Sequence, residues 1–525
     1  MTVETVIAAP PVKANPWWRF SGLLFRVLVM ALAVGLQGLI IFGSLTWASN
    51  VAAGVRTFSL ILSIVAVIVI LWGNRALEYK LVWVMLVLLF PFFGGVFYLI
   101  YGDQRPGKGI RRAKANVKFR AIEAMKDVDC KVNTEAIDEH YDYRVAQQVN
   151  YLTRSGEFVA FENTKVTYYP WGEDAFVEML EAMEKAEKYI CAEYFIISEG
   201  HMFNAMFDVM VRKAAQGVSV KFMYDDIGSM FKLPKRVLSR AKEAGIRMIP
   251  VNRFDPRTLK FNNRDHRKIL IIDGDVGFTG GINIGDEYIN IVDHFGLWKD
   301  TMVKIEGAGV FGLVGLFFSI WDLVTKDNTD LEALKPELYE RIEPGWIIPF
   351  DDSPFDDISV GWAAHRNMMA RAEHSIDLFT PYLIPSQYMV EEIAGLALAG
   401  VTVRIYTPGV PDKWLVWQAT KSNYQALLEA GVEIYEFSPG FMHAKQMVID
   451  DDFAILGTIN MDFRSFYLHQ ENAVWMYGVP AIADMKADFD ATRAVSHRVT
   501  LEEVLATPWW LKATQKIMRI MTPAI

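Results

Sequence analysis

The chain has 525 residues, too many for one core and enough for about three or four domain-sized units. Its 52% hydrophobic and 13% aromatic content excludes disorder, and 53 Lys+Arg against 62 Asp+Glu leaves −9, without the basic excess of a nucleic-acid binder. Two cysteines, Cys130 and Cys191, exclude a disulfide framework and a Cys-rich zinc site.

In chain order, the hydrophobic excess comes first. Val27–Val55 is read as a span containing VLVMALAVGLQGLIIFGSL, long enough for a hydrocarbon core of about 30 Å. Thr57–Gly73 is short for a crossing, and Leu81–Tyr101 is a third uncharged stretch in which Pro91 predicts a kink. Residues 1–104 are therefore read as a transmembrane region of two or three apolar helices. Arg105, Lys108, Arg111, Arg112, Lys114, Lys118 and Arg120 follow, and residues 105–160 are read as a basic juxtamembrane linker. Basic residues behind a span predict a cytoplasmic catalytic part on a multi-pass cell-membrane protein, and they attract anionic headgroups. Three crossings would put Lys13, Arg19 and Arg26 on the wrong side for that rule, unless one segment is re-entrant or interfacial.

Beyond Phe161 helical and strand patterns alternate, as in α/β architecture. FVEMLEAMEKAEKYICAEYFII predicts a helix and a buried strand, and MMARAEHSIDLFTPYLI repeats that unit. KAAQGVSVKFMYDD and LALAGVTVRIYTP form a second matching pair. Gly217 to Gly400 is an offset of 183, and Gly245 to Gly431 is 186. Copies of that size are too large for a solenoid and predict two fused domains, 161–350 and 351–525.

Each copy carries His-x-Lys-x4-Asp: His266, Lys268 and Asp273, then His443, Lys445 and Asp450. A glycine and an asparagine follow in register, Gly280 with Asn283 and Gly457 with Asn460, so His and Asn both repeat at 177. On a strand, His and Lys two apart share a face. Asp, seven from His, faces away and is expected to anchor a strand end. Two facing copies would supply two imidazoles, two ammonium groups and two asparagine amides. Such a set suits phosphoryl transfer, with one His attacking, the other protonating the leaving oxygen, and Asn283 and Asn460 binding phosphate. No metal or cofactor is called for. Acceptors for the second ring nitrogens are sought in Asp300, 34 after His266, and Glu471, 28 after His443.

These motifs resemble those of the phospholipase D superfamily and, within it, bacterial-type cardiolipin synthases. The likeness runs over nearly all of 58–525, through FPFFGGVFYLIYG, EYFII with Glu193, DDIGS (Asp225, Asp226, Gly228, Ser229), HRKILIIDGDVGFTGGINIGDEY, TPYLIP at Thr380–Pro385, and HAKQMVIDDDFAILGTINMDFRSF. It implies two α/β/α domains in pseudo-two-fold arrangement with the site between them. It also implies phosphatidyl transfer between two phosphatidylglycerol molecules through a phosphohistidine, giving cardiolipin and glycerol. By the superfamily's order His266 is the nucleophile and His443 the general acid, and both aspartates belong to the motif. The partners implied are phosphatidylglycerol, other anionic phospholipids and the membrane, with no nucleic acid and with self-association allowed. Departures are Thr458 in place of the usual Ser, His469-Gln470 in place of Asn-Phe before Glu471, and the additional segment Val27–Leu45. The competing readings are a membrane-bound phospholipase D releasing phosphatidic acid, a nucleic-acid phosphodiesterase and an inactive membrane scaffold. The C-terminal TPWWLKATQKIMRIMTPAI, with Trp509 and Trp510, is read as an interfacial helix.

Overall fold

A computed structural model describes Gly35, Gly38 and residues 50–73, 77–102, 108–126, 143–155, 158–254, 262–335, 343–354 and 359–521. The chain divides into two compact units, a small one within Ala9–Arg105 and a large one formed chiefly by Pro106–Arg253 and Asn263–Met518. Most of the predicted span Val27–Val55 lies outside the described residues.

The small unit contains α1 (Asn50–Trp72), α2 (Leu77–Leu89) and α3 (Pro91–Tyr101). The stretch Leu81–Tyr101 was expected to run as one kinked helix. It reverses instead. Phe90 leaves the helical region (φ −130°, ψ 76°), Pro91 opens α3 without needing an N–H partner, and α3 packs antiparallel to α2. Ala66, Ile70, Val87 and Tyr98 form the buried centre of this three-helix unit. Among the described residues, no helix is long and apolar enough to cross a membrane.

In the large unit, the first sheet comprises β1 (Thr164–Tyr169), β2 (Tyr189–Tyr194), β3 (Ser219–Asp225), β4 (Arg247–Val251), β5 (Ile269–Ile272), β6 (Val276–Gly280) and β8 (Met302–Gly307). β7 (Leu297–Lys299) stands apart from it. The second sheet comprises β9 (Trp346–Asp352), β10 (Ser375–Phe379), β11 (Thr402–Pro408), β12 (Glu433–Phe437), β14 (Gln446–Ile449), β15 (Phe453–Gly457), β16 (Glu471–Tyr477) and β17 (Ser496–Arg498), with β13 (Gly440–Met442) outside it. The orders β1-β8-β6-β5-β2-β3-β4 and β9-β16-β15-β14-β10-β11-β12 correspond strand for strand, and β17 extends the second edge. In each, three consecutive strands toward one edge, β2-β3-β4 and β10-β11-β12, are parallel and the remaining pairings antiparallel. β2 is buried along its whole length, Tyr189 and Cys191 toward one core and Ile190, Ala192 and Tyr194 toward another, which explains its continuous apolar run.

Two expected boundaries move. The division at 350/351 falls inside β9, which pairs with β16 through Phe350–Ala473 and belongs to the second sheet. Residues 105–160 are not a linker in their described parts: α4 (Lys108–Lys126) packs along the buried helix Val310–Thr325, and α5 (Tyr143–Ser155) inserts Val145, Val149 and Leu152 into the core. Part of the basic run is neutralised within the protein. Lys114 Nζ lies 3.3 Å from Asp351 and Lys118 Nζ 3.6 Å from it, while Arg120 pairs with Asp322 at 3.0 Å and with Asn328.

Candidate active site

The two His-x-Lys segments enter their strands, β5 and β14, from opposite domains, and backbone hydrogen bonds hold each against the other domain. The His266 amide donates to the Gln470 carbonyl at 2.8 Å, and the His443 amide donates to the Lys299 carbonyl at 2.7 Å. A bridge between Asp265 and Gln470 supports the first contact, and parallel pairing of β7 with β13 supports the second.

Gln470 and Lys299 immediately precede Glu471 and Asp300, so the acceptors cross between domains. His266 Nδ1 lies 2.8 Å from Glu471 Oε2, and His443 Nδ1 lies 2.5 Å from Asp300 Oδ2. The sequence spacing had associated each carboxylate with the histidine of its own copy; the structure exchanges them. An Nδ1–H donated to a carboxylate leaves the lone pair on Nε2. Both rings are buried, which with the neighbouring Lys268 and Lys445 ammonium groups holds the imidazoles well below their ordinary pKa. Burial also raises Asp300 to about 6 and Glu471 to about 8, and lowers Lys268 to about 7 and Lys445 to about 8.

Each lysine turns back on its motif, Lys268 Nζ donating to the His266 carbonyl at 2.5 Å and Lys445 Nζ to the His443 carbonyl. Thr279 Oγ1 donates to the Lys268 carbonyl and accepts from Asn472 Nδ2, both at 2.8 Å, which ties β16 to the first motif.

Asp273 and Asp450 stand at tight turns in the left-handed region, φ 55° and 51°. Asp273 accepts from the amides of Glu187, Lys188 and Tyr189 at 2.7 Å each, and so fixes the start of β2. Asp450 accepts from Glu373, His374 and Ser375 before β10, and pairs with Arg144 at 3.1 Å. Asn283 Oδ1 accepts from the Ile196 amide at 3.0 Å and its Nδ2 donates to Tyr288, so its amide holds the loop carrying Phe195. Asn460 Nδ2 donates to Ser465. In DDIGS, Asp225 caps a four-residue helix and accepts from the Asp265 amide at 2.9 Å, while Ser229 binds the same Phe195–Ile197 loop.

The surroundings of the two imidazoles differ. Phe195 lies edge-on to His266 at 5.0 Å, and His469 lies 5.9 Å away. Trp298, Tyr288 and Phe441 enclose His443 at 5.4 to 5.8 Å. Thr458 donates its hydroxyl to Glu471, whereas Gly281 occupies the corresponding position in the first copy because a Cβ there would lie 2.0 Å from Asp300 Oδ1.

Sequence reading did not find Arg267, which is fully buried between the two key residues of the first motif. Its guanidinium pairs with Glu193 and with Asp265. A buried Arg just before a strand of apolar residues requires buried carboxylates, but nothing in the spacing identifies them.

Known proteins place this geometry. The family described as "Cardiolipin synthase, PLD-like domain" matches residues 179–302 and 366–493, one match per sheet, and "Phospholipase_D-nuclease N-terminal" matches 61–102. A cardiolipin synthase of a Geobacillus species is 31% identical, with 95% of this chain and 99% of the relative covered. An uncharacterized protein of Streptococcus mutans is 38% identical over 84% of this chain and 96% of its own length. The fold is similar to that of phosphatidylserine synthase from Haemophilus influenzae, with a TM-score of 0.54, 13% identity, and 72% and 96% of the two chains covered. Duplicated motifs on matching sheets, histidines paired across the two domains and relatives aligned almost end to end make this chain a member of the cardiolipin synthase family with phospholipase D-like domains.

Proposed function

We propose that this protein is a membrane-tethered cardiolipin synthase. His266 Nε2 attacks the phosphorus of one phosphatidylglycerol and forms a P–N bond, and the P–O bond to glycerol breaks. His443 gives its proton to the departing glycerol oxygen, then takes one from the glycerol hydroxyl of a second phosphatidylglycerol. That oxygen displaces His266, the P–N bond breaks, and cardiolipin leaves. Lys268 and Lys445 offset charge on the equatorial oxygens. The observation that carries the reading is the pair of imidazoles, each held at Nδ1 by a buried carboxylate of the opposite domain. A phosphodiester anion between the two ammonium groups offsets their field, so His443 can hold the proton that the empty site disfavours.

The membrane part of the reading is supported by α1 and α2, which expose Phe58, Leu60, Ile61, Ile64, Val65, Ile68, Leu81, Met85, Leu88 and Leu89, an apolar surface unsuited to water. The C-terminal helix Trp509–Met521 buries no residue and exposes Trp509 and Trp510 (81% and 52%), as an interfacial helix would. A cytoplasmic catalytic body is part of this reading, supported by the basic residues around α4, of which Arg112 is exposed.

Purified full-length protein given phosphatidylglycerol as sole lipid should release glycerol and cardiolipin in equal amounts. Phosphatidic acid as the main product would replace this reading with the hydrolase.

A further inference from the structure

We propose that α2 and α3 form a re-entrant hairpin that enters one leaflet of the bilayer and leaves by the face it entered; this rests on the membrane reading above. The closure is seen at both ends. At the open end, Tyr79 OH donates to the Gly102 carbonyl at 2.7 Å, although 23 residues separate them. Midway, Trp83 packs on Phe97 at 5.5 Å and on Tyr98 at 5.3 Å. Near the turn, a Cβ on Gly94 would meet Leu86 O at 2.5 Å and Val87 Cα at 2.7 Å, so only glycine permits the approach. Pairs 79–102, 83–98 and 87–94 describe one antiparallel register about the Phe90–Pro91 reversal.

The hairpin's depth is marked against α1. Ser63 Oγ lies 2.8 Å from the Ser59 carbonyl and 3.0 Å from the Pro91 carbonyl, sharing its one proton between them, which seats the start of α3 against α1. Lys80 Nζ reaches the Leu71 carbonyl at 3.0 Å near the open end. From Trp72 to Ser63 is nine residues, about 14 Å at 1.5 Å per residue, or half of a hydrocarbon core of about 30 Å. The tip therefore lies near the midplane while the open end lies at one interface. No charged residue occurs between Lys80 and Asp103, and the hairpin's outward residues Leu81, Met85, Leu88, Leu89 and Phe90 face acyl chains.

The test uses the full chain with Cys130→Ser, carrying either Glu78→Cys or Gly109→Cys; a Cβ at Gly109 meets nothing within 4 Å. Intact and inverted membrane vesicles are labelled with a membrane-impermeant maleimide, and retention after alkaline carbonate washing is measured alongside. Both cysteines should label from the same face and lose labelling from the other, in protein that resists carbonate. Labelling from opposite faces in carbonate-resistant protein would overturn the hairpin and leave the membrane reading standing. Release of the protein by carbonate would overturn the membrane reading and the hairpin with it.

Discussion

The two halves of the active site share a plan and differ in the groups that surround each imidazole and its carboxylate. His266 leans on a glutamate steadied by the Thr458 hydroxyl, while His443 leans on an aspartate pressed against a glycine. The longer Glu471 side chain reaches its histidine across a gap that leaves room for a threonine. The shorter Asp300 requires closer backbone approach, and Gly281 allows it. His443 is packed among three aromatic rings, whereas His266 has Phe195 and a third imidazole, His469, for company. The repeat supplies two equal histidines, and the side chains packed around them make them unequal.

The sharpest way to separate the halves is to remove each imidazole. His266→Ala should lower turnover by about 10⁴ or more and abolish any phosphoprotein adduct. His443→Asn should slow turnover by about 10² to 10⁴ while letting adduct accumulate from a substrate whose leaving group needs no proton. Mass spectrometry that finds phosphate on His443 in the His266 variant would reverse the assignment.

Next are the crossed carboxylates. Glu471→Gln and Asp300→Asn should each cost about 10²-fold in kcat, with the folded fraction preserved, because an amide can present the wrong atom to Nδ1–H. Glu471→Gln should impair adduct formation and Asp300→Asn chiefly the step that expels glycerol, a split visible in single-turnover kinetics. Equal effects on both steps would erase the division of labour.

Exchanging the small residues should have a smaller effect. Thr458→Ser keeps the hydroxyl and should stay within about threefold of the parent, while Thr458→Val should lose roughly tenfold, the value of about 1.4 kcal/mol for one hydrogen bond to a charged group. Gly281→Ala should be worse than either, through displacement of Asp300, and thermal unfolding will show whether the loss is local.

The pH profile bears on both halves at once. The imidazoles, held well below the ordinary histidine value, stay neutral, so the acid limb of kcat/KM follows the carboxylates that accept Nδ1–H, Asp300 at about 6 and Glu471 at about 8. Loss of the ammonium charge on Lys268, then Lys445, places the basic limb at about 7 to 8. Lys268→Arg should move that limb upward. The smallest catalytic effect belongs to the outlying aspartates. Asp273→Asn should cost about 1–3 kcal/mol of stability with turnover per folded molecule nearly unchanged, and Asp450→Asn somewhat more because its ion pair with Arg144 is also lost.

The duplicated motif and its strand context were legible because His, Lys, Gly and Asn recur at constant offsets. Partner choice was not. Asp300 and Glu471 lie at similar distances after their own histidines, and nothing in that spacing shows that Gln470 and Lys299 hold the opposite motif through main-chain bonds. Hydropathy was blind to the reversal at Phe90 for a related reason: an uncharged run has the same composition whether it continues or returns. The one local signal was Pro91 followed by Gly94 and Gly95. The basic run misled because Asp351 and Asp322, which neutralise Lys114, Lys118 and Arg120, lie some 200 residues away.

The exchange of carboxylates also constrains how such a protein can arise. One repeat by itself contains a histidine and a carboxylate that cannot meet, so it has no oriented nucleophile. A single repeat of this plan could orient its histidine only against a second copy, each completing the other. With both repeats on one chain that partnership is obligatory and can be unequal, because each copy can change without altering its twin. Glycine at 281 where the other copy has Thr458, and aspartate at 300 where it has Glu471, are differences that two identical subunits cannot carry.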